Sequence, residues 1–121
     1  MEPVAGPLRL RRWPHADGWT TVAQLSDLDG PTEAFVDGHP VVLVRLGEEV
    51  FAVDGRCPHR GGPLAQAVLE GCALRCPWHG FKYDVRTGRP AWPEGWDPVP
   101  TYATRITDGW VEVLVERMEE S

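Results

Sequence analysis

The sequence predicts an all-β domain built from short antiparallel strands. Thirteen glycines and twelve prolines among 121 residues punctuate the chain too often for long helices. Runs of valine, threonine and aromatic residues are short and end in turn dipeptides such as Asp37-Gly38 and Asp108-Gly109. Hydrophobic content of 42% suits one core, and the length leaves no room for a second catalytic domain, so residues 1–121 are taken as a single domain.

The elements follow in order. A first strand is expected over Gly18 to Ala23 and a second over Glu33 to Val36, ended by Asp37-Gly38. Pro40 to Leu46 is a strong third strand, meeting Val50 to Val53 across Gly47-Glu48-Glu49 at hairpin spacing. Pro63 to Ala67 is expected to make one helical turn, and Val68 to Arg75 a short hairpin that delivers the chain to Cys76. Phe81 to Val85 leaves as a strand and turns at Thr87-Gly88; Thr101 to Thr107 and Trp110 to Val115 pair around Asp108-Gly109. Between them, Gly88 to Pro100 holds four prolines and two tryptophans, which exclude regular strand and predict a stiff loop. No repeat or linker divides the chain.

Chemistry concentrates in two segments, Cys57-Pro58-His59-Arg60-Gly61-Gly62 and Cys76-Pro77-Trp78-His79-Gly80-Phe81, with sixteen residues between His59 and Cys76. Each offers one thiolate and one imidazole and runs into glycine, where backbone can approach a bound group closely. Mixed arms suit a binuclear iron-sulfur cluster, because both thiolates can hold one iron and both imidazoles the other. Zinc is the competitor, since two cysteines and two histidines also make a tetrahedral set. Zinc modules usually pair like ligands on one arm, C-x(2–4)-C and H-x(3–5)-H, which favours the cluster here.

The pattern C-x-H, sixteen residues, C-x-x-H resembles the Rieske [2Fe-2S] family, and the order of strands, ligand loops, proline-rich loop and closing hairpin extends that resemblance over nearly the whole chain. It implies a Rieske-type fold with one [2Fe-2S] cluster per chain. Cys57 and Cys76 would bind the buried iron, His59 and His79 the outer iron, and the Gly88 to Pro100 loop would cover the cluster. Tyr83 stands where a hydroxyl donates to a ligand sulfur in the high-potential class. Respiratory members carry a further cysteine in each loop, and Gly62 and Trp78 stand there instead, so no disulfide joins the loops. Phe81 replaces a serine that would hydrogen-bond the cluster. Fewer hydrogen bonds stabilise the reduced charge less, so a low to intermediate potential is expected.

His15 and His39 lack a matched cysteine and are assigned surface or turn roles. Cys72 is expected to be a small buried apolar residue. With two cysteines for iron and one left over there is no disulfide framework, which points to a reducing, cytoplasmic compartment. Arg11-Arg12 is followed by no apolar segment, so it is not read as an export signal. No apolar run approaches the roughly twenty residues that cross a membrane.

The net charge of −6 divides unevenly. Arg56 to Pro90 carries +4, from Arg56, Arg60, Arg75, Lys82, Arg86 and Arg89 against Glu70 and Asp84, and the remainder carries −10. A basic lobe predicts a partner with an acidic docking surface. An acidic chain without a basic stripe is not expected to bind nucleic acid. The expected function is a soluble one-electron carrier taking electrons from a flavin- or NAD(P)H-dependent reductase and passing them to a terminal oxygenase. Competing expectations are a tightly held small subunit of a larger, nitrite-reductase-like oxidoreductase and a detached Rieske module of an oxygenase. The chain itself offers no bond-making site; its part is electron transfer.

Overall fold

A computed structural model describes residues 18–58, 62–77 and 80–115. Its strands, in chain order, are β1 (Trp19–Gln24), β2 (Thr32–Val36), β3 (His39–Leu46), β4 (Glu49–Asp54), β5 (Val68–Glu70), β6 (Ala73–Arg75), β7 (Lys82–Asp84), β8 (Pro90–Trp92), β9 (Thr101–Thr107) and β10 (Trp110–Leu114). They form a six-stranded sheet in the order β1-β10-β9-β4-β3-β2 and a four-stranded sheet in the order β5-β6-β7-β8, with every pair antiparallel. β1 and β2, at opposite ends of the six-stranded order, pack against each other and curl that sheet toward a barrel.

Turn chemistry sets the registers. Val36 pairs with His39 across Asp37-Gly38, and Thr107 with Trp110 across Asp108-Gly109. In both dipeptides the two central residues have positive φ, +53° and +80° in the first and +52° and +82° in the second. That is the primed turn whose twist matches the flanking strands. The β3–β4 connection is tighter than the sequence predicts, because Leu46 pairs directly with Glu49 and only Gly47-Glu48 forms the loop.

Val41, Val42, Leu43 and Val44 are all fully buried, so the middle of β3 has no solvent face. Val41 and Leu43 belong to a core with Val36, Val50, Ala52, Val111 and Val113. Val42 and Val44 point the other way, into a core with Val53, Leu64, Leu74, Tyr83, Val85 and Val99. The β3–β4 hairpin is thus a wall with hydrophobic packing on both sides. Period-two alternation explains the division, and burial on both faces explains the unbroken apolar run.

Two local expectations change. The helical turn after the first ligand loop is a 3-10 turn at Leu64–Gln66, and another, which the sequence analysis did not anticipate, spans Leu25–Asp27. The proline-rich segment is not wholly irregular either: Pro90–Trp92 forms β8, paired with β7. A proline is compatible with a strand when it opens an edge strand, where no partner needs its missing N–H.

Candidate metal centre

The two cysteine segments sit at equivalent places in two hairpin-like loops. Cys57 follows β4, and Cys76 lies between β6 and β7. The Cys57 amide donates to the Gly62 carbonyl at 2.8 Å, and the Cys76 amide donates to the Phe81 carbonyl at 2.6 Å. Each loop is therefore six residues, begins Cys-Pro and closes with the same bond. The repeat of Cys-Pro at equal distances from Gly62 and Phe81 was the sequence signal for this symmetry. The root of the first loop is tied down as well, with Gly55 donating to the Pro40 carbonyl at 2.9 Å and Leu64 to the Gly55 carbonyl at 3.0 Å.

Both thiols are buried at 1% exposure, neither is in a disulfide, and both belong to the core that holds Tyr83. The alternation of the four-stranded sheet aims Tyr83 inward: Leu69, Leu74, Tyr83 and Pro90 form one cross-strand row, all on the same face. The Tyr83 hydroxyl lies 3.3 Å from Cys57 Sγ. Burial first, then the contact with Cys57 and the nearness of Cys76, holds the Tyr83 phenol far above its ordinary pKa, so it remains a protonated donor. Toward a thiolate only the hydroxyl has a hydrogen to give.

His59 and His79 lie outside the described residues, as do Arg60, Trp78, His15 and the Arg11-Arg12 pair. Among the described residues no three metal-ligating side chains gather, because the imidazole half of the predicted set belongs to those segments. What is described fits the predicted group. Two buried, unbridged thiols at matched loop positions, one with a hydroxyl aimed at it, form a soft donor pair that suits iron bridged by sulfide.

The Gly88 to Pro100 loop is held at its neck. Val99 donates to the Gly88 carbonyl at 2.8 Å, and Asp54, at the foot of the first ligand loop, donates to the Pro100 carbonyl at 2.8 Å. Phe81, at the end of the second loop, meets Trp92 edge-on at 6.2 Å and Trp96 edge-on at 5.4 Å. Phe81 thus gathers two tryptophans of the proline-rich loop, a contact no local pattern announced.

His39 opens β3 and sits in a side-chain cluster. Its Nε2 is 2.6 Å from Asp54 Oδ1 and 3.0 Å from the Tyr102 hydroxyl, and that hydroxyl donates to Asp54 Oδ1 at 3.1 Å. Cys72 is half-buried in the turn between β5 and β6, beside the Asp84 carboxylate, so it is not the enclosed apolar residue the sequence predicts. Arg86 donates two bonds to Asp84, at 3.1 and 2.9 Å, and holds that carboxyl below its usual pKa.

The Rieske [2Fe-2S] domain model matches residues 18–103. The chain is 36% identical over 87 residues to the ferredoxin subunit of anthranilate 1,2-dioxygenase from Burkholderia cepacia, covering 72% of this chain and 81% of that one. The ferredoxin of carbazole 1,9a-dioxygenase from Nocardioides aromaticivorans IC177 superposes with a TM-score of 0.77 at 31% identity, over 81% of this chain and 98% of that chain. A ferredoxin solved in complex with the oxygenase of carbazole 1,9a-dioxygenase superposes with a TM-score of 0.77 at 27% identity, over 85% of this chain and 98% of that chain. Since the match runs from the first described strand into β9 and takes in both cysteine loops, the chain belongs to the Rieske [2Fe-2S] domain family.

Proposed function

We propose that this chain is the ferredoxin of an oxygenase system, a one-electron carrier between a flavin- or NAD(P)H-dependent reductase and a terminal oxygenase. The observation that carries this is the pair of buried, unbridged cysteines opening two loops of equal length and closure, in a chain that spans nearly the full length of a stand-alone dioxygenase ferredoxin. When bound by these loops, a [2Fe-2S] cluster would supply one-electron transfer with no bond made in the substrate.

The residues divide that task. Cys57 and Cys76 are assigned to the buried iron, and His59 and His79 to the outer iron. Tyr83 donates to the Cys57 sulfur and stabilises negative charge there. Phe81, Trp92 and Trp96 keep water from the second loop. Hydroxyl donation by Tyr83 opposes the loss of a donor at Phe81, which supports a low to intermediate potential. All three cysteines are free, which supports a reducing compartment, the cytoplasm. No helix among the described residues is long and apolar enough to cross a membrane.

Purified protein is expected to be red-brown, to carry two irons and two sulfides per chain, and to pass electrons from an NADH-driven reductase to a terminal oxygenase. A colourless, zinc-containing protein would overturn the cluster. Stable co-purification with a large subunit would replace the carrier by the subunit reading. Replacing His59 or His79 by alanine is expected to abolish the Rieske spectrum, and its survival in either variant would remove that histidine from the site.

A further inference from the structure

The four-stranded sheet presents an outward row beside the second ligand loop. Val68 pairs with Arg75 and Arg75 with Lys82, and Lys82 pairs with Trp92 beside a register shift that takes Trp92 out of step with Pro90, so all four side chains lie on one face, opposite the inward row that holds Tyr83. Val68 and Trp92 are 56% and 55% exposed and stand at the two ends of one row. Three strand spacings separate them by about 14 Å. Between them stand two cations, and Glu70 holds both in place, with its Oε2 3.6 Å from Arg75 Nε and its Oε1 3.2 Å from Lys82 Nζ. One carboxylate against two cations leaves this row positive on a chain of net charge −6.

We infer that this row is the docking surface for the terminal oxygenase, which presents carboxylates to Arg75 and Lys82 and apolar side chains to Val68 and Trp92. The inference rests on the carrier function proposed above and names the residues that seat the partner. Position supports it: Arg75 immediately precedes Cys76 and Lys82 immediately follows Phe81, so a protein seated here lies against the root of a cluster-binding loop. Trp92 also packs on Phe81, so the apolar end of the row continues into the cover of the same loop. Aromatic and arginine side chains are the residues that carry most binding energy at such surfaces. The row does not suit a second copy of this chain, because a two-fold pairing would bring cations against cations between two chains that both carry net negative charge.

The test uses the cluster-loaded full chain with two acceptors, the oxygenase component of anthranilate 1,2-dioxygenase and the terminal oxygenase of carbazole 1,9a-dioxygenase from Nocardioides aromaticivorans. Trp92→Ala and the double variant Arg75→Glu/Lys82→Glu are each expected to raise Kd for the oxygenase by at least about tenfold, and the double variant to raise KM equally. Turnover at saturation and the visible spectrum should be unchanged in the double variant, and Trp92→Ala, whose side chain also packs on the second ligand loop, is compared by its Kd alone. The wild-type KM should rise between about 50 and about 200 mM salt, and in the double variant that dependence should be lost or reversed, because salt then screens a repulsion. Val68→Glu, at the far end of the row from Phe81, is expected to weaken binding in the same way and serves if Trp92→Ala fails to load its cluster.

Wild-type turnover with Kd and KM unchanged in the variants overturns the surface and leaves the carrier function standing. A loss confined to reduction by the reductase overturns it too, as does a wild-type dimer that Trp92→Ala disperses. An intact cluster that reduces neither oxygenase overturns the carrier function, and the docking surface with it.

Discussion

Tyr83 and Tyr102 show how much a single hydroxyl can decide in this chain. Tyr83 lies 3.3 Å from Cys57 Sγ in a site excluded from water. Tyr83→Phe is therefore expected to keep the spectrum and lower the reduction potential, by about 40 mV for each 1 kcal/mol of bond strength the reduced state loses. Redox titration giving an unchanged or higher potential would remove Tyr83 from that role. Tyr102 is pushed up to about 12 from an ordinary 10.0, by burial first and then by the Asp54 carboxylate. Because the folded chain holds this proton more tightly than the unfolded one, the contribution is complete below pH 10.0 and is lost as pH rises toward about 12. Tyr102→Phe should abolish that part of the alkaline decline, read as the difference between the two unfolding midpoints from neutral to alkaline pH. Tyr83 was legible from sequence only through the family resemblance, which places a donating hydroxyl there, and the register of the four-stranded sheet then aims it at Cys57. The His39–Asp54–Tyr102 cluster was not, since it joins residues from three strands that only the sheet order brings together.

At the scale of the elements, turns and loop necks set the geometry. Gly88 has φ of +80°, and a Cβ there would lie 2.2 Å from the Val99 carbonyl oxygen, the neck that closes the proline-rich loop. Gly88→Ala is expected to destabilise the protein by about 2–4 kcal/mol, from backbone strain and a forced clash together. Urea unfolding measures this, and a loss under about 0.5 kcal/mol, the range of an ordinary surface substitution, would show that the neck does not constrain the loop. Asp37-Gly38 and Asp108-Gly109 were legible because the dipeptide dictates its own turn. β8 was not, because whether Pro90 interrupts a sheet or opens its edge depends on which strand lies alongside.

For the whole molecule, the β3–β4 wall joins two hydrophobic clusters, one of which contains the cysteines. Leu43 is fully buried in the cluster remote from the metal centre. Leu43→Ala is expected to cost about 2–5 kcal/mol, and loss of the cluster's visible absorbance should shift to lower denaturant together with far-ultraviolet dichroism. An absorbance midpoint that stayed in place would mean that the two clusters unfold separately. The charge division read from sequence also changes at this scale: Glu70 and Asp84, the two acidic residues between Arg56 and Pro90, are both committed to pairs with Arg75, Lys82 and Arg86. The lobe is a patterned surface in which one row keeps a positive excess.

The sequence by itself determined the strand class, the hairpin turns and the two cysteine segments, because alternation, turn dipeptides and ligand spacing are local properties that a few neighbouring residues carry. Tertiary structure alone decided that the two loops close by the same bond, that Tyr83 meets Cys57, that Phe81 holds two tryptophans, and that Val68, Arg75, Lys82 and Trp92 share a face. Each of those depends on sheet order and register. Pairing energies between residues far apart in the chain settle both only once the two cores have formed around the β3–β4 wall.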